Sequence, residues 1–424
     1  MRKLTAFLLT LILLAAVTAC GDASNDDEGG TPVDSYFTYP QKTDVIADRQ
    51  YNLDAPVLFP EELWQVPQAI RYEEGDVGAV QAYFLDSVQG TKVFAYVGIP
   101  ETASASAKAP GIVLVHGGGG TAFYEWVDYW VKRGYAAIAM DTEGNMPCAT
   151  SNMGNNDHVK SIYPSGPANQ AFADKYAAVE SQWVYHALAS IIVSNSFLGS
   201  FPEVDSARIG ITGISYGGFL TCNAVGYDDR FAFACPVYGC VGNKGTDTAF
   251  GQLTQNSATD IWDDCSILEA SRTPILFING NRDQHFSTVA TSACFRASRY
   301  AELAFISDFP HSHYHGATEV PQLNLFADHV IYGKKGLPRI TVQPDAEHEV
   351  VQLELPANVN VYEAELMVTS ETELSSTTAW TSRKASVQGK ELTASVPENA
   401  TAWYFNVIDD RGMQISTALV RRTD

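Results

Sequence analysis

One serine in this chain stands in a setting that chemistry can use. Gly213, Ile214, Ser215, Tyr216 and Gly217 form a G-x-S-x-G pattern directly after the β-branched run Ile209 to Thr212. A serine hydroxyl is a weak nucleophile until a base takes its proton, so it must project clear of the backbone to where a base can reach it. A sharp strand-to-helix turn achieves this with strained dihedrals at the serine, and Gly213 and Gly217 leave the room that such a turn needs. Attack on a carbonyl carbon generates an oxyanion, which needs backbone N–H donors at close range. His116, 99 residues before Ser215, opens the run His116, Gly117, Gly118, Gly119, Gly120. No side chain obstructs approach to a glycine loop, and the amides of Gly118 and Tyr216 are the candidate donors.

The base and its orienting acid are expected later in the chain. Asp283 closes the segment Gly280, Asn281, Arg282, Asp283, just beyond the apolar run Pro274 to Ile278 and 68 residues after Ser215. Three histidines, His311, His313 and His315, lie in PHSHYHG after the run Ala304 to Ile306. Spacing alone does not choose among them. With one of them as base the reaction is a double displacement: imidazole accepts the serine proton, Oγ attacks an acyl carbon, the carboxylate fixes the ring, and water releases the acyl group. The i, i+2, i+4 spacing of the histidines could also present two metal ligands on a strand face, but no acid or cysteine cluster accompanies them. Neither a metal nor a cofactor is expected. His186, in the middle of a helical pattern, reads as structural, and Asp308 as a solvated loop residue.

The elements that would position these groups alternate between strand and helix. Gly111 to Val115, Ala136 to Met140, Arg208 to Thr212, Pro274 to Ile278 and Ala304 to Ile306 read as strands. Phe123, Trp126, Val127, Trp130 and Val131 repeat at helical spacing with Gly134 as a C-terminal cap, and Val184, Ala187, Leu188, Ile191 and Ile192 mark another helix. This predicts an α/β fold with a mostly parallel sheet flanked by helices. Asp141 to Lys175 is a long polar loop of the kind that serves function. After Gly336 the helical period disappears, and short strand-like runs (Val350 to Leu355, Val361 to Val368, Leu392 to Val396, Ala402 to Val407, Gln414 to Leu419) indicate an all-β module, expected to be an immunoglobulin-like sandwich. The expected organisation is residues 1–19 as a signal peptide, 20–55 as a flexible tether, 56–336 as the catalytic domain and 337–424 as the sandwich.

Arg2 and Lys3 precede a largely apolar run, Leu4 to Val17, too short to span a bilayer as a mature helix but suited to an export signal. It ends in Val17, Thr18, Ala19, Cys20, which resembles the bacterial lipobox. This implies lipid attachment at Cys20, anchoring to the cell envelope and, given the acidic segment that follows, exposure at the outer-membrane surface. The formal charge of −22, which becomes −24 once Arg2 and Lys3 are removed, argues against nucleic acid as a partner. It favours neutral over anionic polymers. Cys148, Cys222, Cys235, Cys240, Cys265 and Cys294 permit up to three disulfides in an exported protein, and their spacing matches no zinc pattern.

The stretches VFAYVGIP, VLVHGGGGTAF, GYAAIAMDTEG, SFPEVDSARIGITGISYGGFLTC, PVYGC and PHSH resemble a bacterial branch of the α/β-hydrolases that includes acetylxylan esterase-like, dienelactone hydrolase-like and prolyl oligopeptidase-like proteins. The similarity runs from about residue 80 to residue 337. The resemblance implies that Asp283 is the acid and that the second histidine of the H-S-H motif, His313, is the base. It implies hydrolysis of carboxylic esters, small or on polysaccharide, with deacetylation foremost. A prolyl oligopeptidase-type peptidase is the alternative, although the interval between Cys20 and the catalytic region holds no propeller. A binding lipoprotein that has lost catalysis is the third reading, against which the complete residue set argues.

Overall fold

The sheet is built from the most apolar runs in the sequence. The computed structural model describes residues 59–169, 172–242 and 260–422. The signal peptide, Cys20 and the tether lie outside the described residues. Elements follow in the order β1 (Ala69–Arg71), β2 (Gln81–Asp86), β3 (Lys92–Gly98), β4 (Ala109–Val115), α1 (Tyr124–Lys132), β5 (Ala136–Met140), β6 (Asn145–Pro147), β7 (His158–Lys160), α2 (Trp183–Leu198), β8 (Val204–Ile214), α3 (Tyr216–Tyr227), β9 (Ala234–Val237), α4 (Asp264–Ala270), β10 (Ile275–Gly280), α5 (Thr288–Ala297), β11 (Ala301–Ile306), α6 (His315–Thr318) and α7 (Pro321–Tyr332). Nine strands form one sheet in the order β1-β2-β3-β5-β4-β8-β9-β10-β11. The first three strands and the β3/β5 pair are antiparallel, and every pair from β5 to β11 is parallel.

Strands β4, β5, β9 and β10 are buried at every position, because helices cover both faces. That is why they read as continuous apolar runs with no alternation. On one face, Trp126, Val127 and Trp130 of α1 project onto the sheet, and Gly134 past its end takes a φ of +87°. On the other, α2 is buried along all of its length. Its hydroxyls turn inward: Ser190 Oγ donates to the His186 carbonyl at 2.8 Å and Ser196 Oγ to the Leu63 carbonyl at 2.7 Å. His186 is buried, and its Nε2 lies 3.1 Å from the Glu180 carbonyl, a structural role.

The C-terminal region comprises β12 (Arg339–Val342), β13 (Val351–Glu354), β14 (Val361–Thr369), β15 (Thr381–Lys384), β16 (Ser386–Gln388), β17 (Glu391–Thr393), β18 (Ala402–Asp409), β19 (Gln414–Ser416) and β20 (Val420–Arg421). Two antiparallel sheets form, β12-β13-β17-β16 and β15-β14-β18-β19, with β20 beside β18. Strand β18 is buried on both faces for a physical reason. Trp403, Phe405 and Val407 share a core with Leu353 and Leu392 of the facing sheet. The alternate residues Ala402 and Tyr404 join Phe305, Leu303 and Cys294 of the α/β domain. Tyr404 meets Phe305 edge-on at 5.2 Å between ring centroids. Each large side chain buried in this way contributes roughly 1.5–3 kcal/mol, so this sandwich sheet is also a layer of the larger fold.

Candidate active site

Strand β8 passes into α3 through a single residue, Ser215, whose φ of +54° and ψ of −123° lie in a region L-residues rarely adopt. The surroundings over-determine this turn. A Cβ on Gly213 would lie 2.3 Å from the Gly217 carbonyl oxygen, and one on Gly217 would lie 2.2 Å from that of Val115. Only glycine fits at either position. The Ser215 amide donates to the Val237 carbonyl at 3.0 Å, and the Ser215 carbonyl accepts from the Phe219 amide at 3.1 Å, so the strained residue is pinned from both sides.

Sheet order brings the remaining groups to the same end. Strand β10 ends at Gly280 in register with Ile306, the last residue of β11. Asp283 and His311 therefore emerge side by side from the carboxyl ends of neighbouring parallel strands. This is where open α/β sheets collect their functional groups. His311 Nδ1 lies 2.6 Å from Asp283 Oδ2, and His311 Nε2 lies 3.0 Å from Ser215 Oγ. Asp283 Oδ1 accepts the amides of His285 and Phe286, each at 2.8 Å, which fixes the carboxylate plane. The His311 ring is enclosed by Tyr238 at 4.3 Å, His285 at 4.8 Å and Phe286 at 6.0 Å between centroids. Tyr238 donates its hydroxyl hydrogen to the Ser312 carbonyl at 2.6 Å and so tethers the loop that carries His311.

This corrects the expectation for the base: the imidazole between Ser215 and Asp283 is that of His311, not His313. The loop after β11 is neither strand nor helix, so a two-residue step carries no fixed direction. The chain turns so that His313 points beneath the glycine loop instead. Its ring packs on Phe123 at 5.2 Å and Trp126 at 6.3 Å, and its Nε2 lies 3.1 Å from where a Cβ on Gly117 would be. Burial, reinforced by the neighbouring His116 ring, pushes the His313 pKa down to about 4. His315 begins α6, its side chain is 40% exposed, and it pairs with Glu319 at 2.7 Å. Asp308 is an exposed loop residue.

The glycine loop is held from below. The Thr142 amide donates to His116 Nε2 at 2.9 Å, so the ring proton sits on Nδ1 and is donated to the Gly117 carbonyl at 2.7 Å. The Gly120 amide closes the loop on the same carbonyl at 3.0 Å. Gly118 lies against the Tyr216 ring, so closely that a Cβ there would be 2.6 Å from Cδ2. Gly119 takes a φ of +70°, and its amide donates to Glu143 Oε1 at 3.0 Å. Glu143 is buried, which pushes its pKa up. Glu143 and Tyr238 were not singled out from sequence, although both lie in segments that directly follow strands, GYAAIAMDTEG and PVYGC. That position was the available signal.

A model described as acetyl xylan esterase (AXE1) matches residues 61–243, and one described as the prolyl oligopeptidase family matches residues 170–328, each less than half of the chain. A comparison with curated proteins returned no match. Solved structures that are similar include acetyl xylan esterase 1 from Thermoanaerobacterium sp. JW/SL YS485, at 15% identity and a TM-score of 0.48 over 64% of this chain and 93% of that one. A puromycin-hydrolyzing peptidase from Mycobacterium tuberculosis is similar at 19% identity and a TM-score of 0.46, over 59% of this chain and 39% of that one. A putative dienelactone hydrolase from Klebsiella pneumoniae is similar at 17% identity and a TM-score of 0.40, over 61% of this chain and all of that one. The sheet order described above gives the central region of this chain the α/β-hydrolase fold.

Proposed function

We propose that the chain is a serine hydrolase that cleaves carboxylic esters through an acyl-enzyme, with Ser215 as nucleophile, His311 as general base and Asp283 as its orienting acid. The observation that carries this reading is the continuous path from Asp283 Oδ2 through the His311 ring to the strained Ser215, at 2.6 and 3.0 Å. In the first step His311 Nε2 accepts the Ser215 proton while Oγ bonds to the acyl carbon, and the carbonyl electron pair moves onto oxygen. The amides of Gly118 and Tyr216 are the proposed donors to that oxyanion. Collapse expels the alkoxide, which takes the proton from His311. Water then repeats the sequence on the acyl-serine, and the carboxylate leaves. Asp283 holds the ring and stabilises the imidazolium.

The match to an acetyl xylan esterase model across the glycine loop and the elbow favours acetyl groups on a neutral polysaccharide such as xylan. The excess of acidic residues suits a neutral polymer over a polyuronate. Attachment at Cys20 would hold the enzyme at the cell envelope, against polymer arriving from outside. The experiment is acetate release from acetylated xylan and from p-nitrophenyl acetate by wild type and Ser215→Ala. Folded wild-type protein that releases acetate from neither would end the esterase reading. The match of residues 170–328 to the prolyl oligopeptidase model supports a peptidase as the second reading. Cleavage of an Xaa-Pro amide faster than of any ester would favour it.

A further inference from the structure

A second cluster of reactive side chains lies beneath the elbow helix, away from the triad. Asp264 and Cys265 stand in the first turn of α4, Cys294 on α5, Cys240 just past β9 and Cys222 on α3. All five are buried. They are scattered over the chain, so no local spacing pattern marks them. The Cys265 and Cys294 sulfurs are 3.7 Å apart, and one ligand atom from each of Asp264, Cys265 and Cys294 lies within 4.8 Å of the others. The Cys240 thiol neighbours those of both Cys294 and Cys222, just outside that group of three. Asp264 Oδ2 accepts the Val241 amide at 2.8 Å, the Gly242 amide and the Cys294 thiol lie close to the carboxylate, and its wholly buried Oδ1 forms no hydrogen bond. No lysine or arginine among the described residues forms an ion pair with this carboxylate.

We propose that Asp264, Cys265 and Cys294 form a structural site for a divalent zinc ion, with the neighbouring Cys240 moving in as the fourth ligand. Two thiolates bound at about 2.3 Å in a tetrahedron stand roughly 3.8 Å apart, which the Cys265 and Cys294 sulfurs already match. A disulfide would require them to close to about 2.05 Å and would leave the Asp264 oxygen as it is. The mixed soft and hard donor set, three thiols and one carboxylate, suits zinc among the common divalent ions. The site is buried away from solvent, which suits a structural rather than a catalytic zinc. The ion would join α4 and α5 to the exit of β9, directly under the helix that begins at Ser215.

The test is independent of ester hydrolysis. Full-length protein without a histidine tag is unfolded with chelator, refolded with zinc or cobalt(II), dialysed, and assayed for metal per chain and for mass under native and denaturing conditions. One metal per chain is expected, with thiolate-to-cobalt charge-transfer absorption and the intense visible bands of tetrahedral cobalt. Cys265→Ser/Cys294→Ser should hold less than about a tenth of that metal. Asp264→Asn, which preserves shape, should release it at least tenfold more readily to a competing chelator. Wild type that refolds without taking up either metal overturns the proposal, and so does a mass two hydrogens low that marks a Cys265 to Cys294 disulfide.

Discussion

At the residue scale the triad and its neighbouring histidine make opposite predictions. Ser215→Ala and His311→Ala should each lower kcat on p-nitrophenyl acetate by about 10³-fold or more with little change in melting temperature. His313→Asn should keep turnover within about tenfold of wild type, because its ring touches the glycine loop and not Ser215. Equal losses at His311 and His313 would contradict the assignment. Tyr238→Phe removes the hydrogen bond to the Ser312 carbonyl and should lower kcat by about tenfold while KM stays near its value. His313 also has a pH signature. Its folded-state pKa lies near 4, below the ordinary 6.5, so the unfolded chain binds more protons between those values. The associated stability is present above pH 6.5 and lost as pH falls toward 4. Urea unfolding should show wild type losing about 2 kcal/mol between pH 7.5 and pH 5 relative to His313→Asn. Parallel pH dependence in the two proteins would refute it.

At the scale of elements, the elbow depends on the close approach of β4, β8 and α3. Gly217→Ala puts a methyl group into the Val115 carbonyl and should destabilise the fold by about 3 kcal/mol or more, read as a lower denaturation midpoint or loss of soluble protein. Such elements were largely legible in the sequence. Ala136 to Met140 appears as a strand over those same residues, and the helical period from Phe123 to Val131 matches α1 within a residue. Regular elements repeat their side-chain directions, so spacing carries information about faces. The loop from Ser307 to Tyr314 has no such repeat, and its direction is set by the Tyr238 hydroxyl and by the aromatic wall of Phe123 and Trp126. Those contacts are remote in sequence, which is why PHSH left three histidines open and the resemblance pointed to His313, a ring that does not reach Ser215. Glu143 was hidden for the same reason, since its partner, the Gly119 amide, lies 24 residues away.

At the scale of the whole molecule, the sandwich and the α/β domain share side chains. Met367, Ala402, Tyr404 and Leu419 pack in one core with Leu303 and Phe305, and Arg339 pairs with Glu302 at 3.1 Å across the junction. A chain ending at residue 336 should therefore expose an apolar face and aggregate, or melt well below the intact protein, whereas the intact protein should unfold in one calorimetric transition. Two separated transitions, or a truncated chain of unchanged stability, would contradict this. Strand β11 is the last of the nine-stranded sheet, and its main chain does not face open water. The Phe305 amide donates to Ser416 Oγ at 2.8 Å, and the Phe305 carbonyl accepts from Gln414 Nε2 at about the short limit for such a bond. A bare strand rim invites a neighbouring molecule to add its own strand. Here serine and glutamine side chains from the same chain occupy the rim at Phe305, so fibre-like growth at this end first requires the β-module to undock.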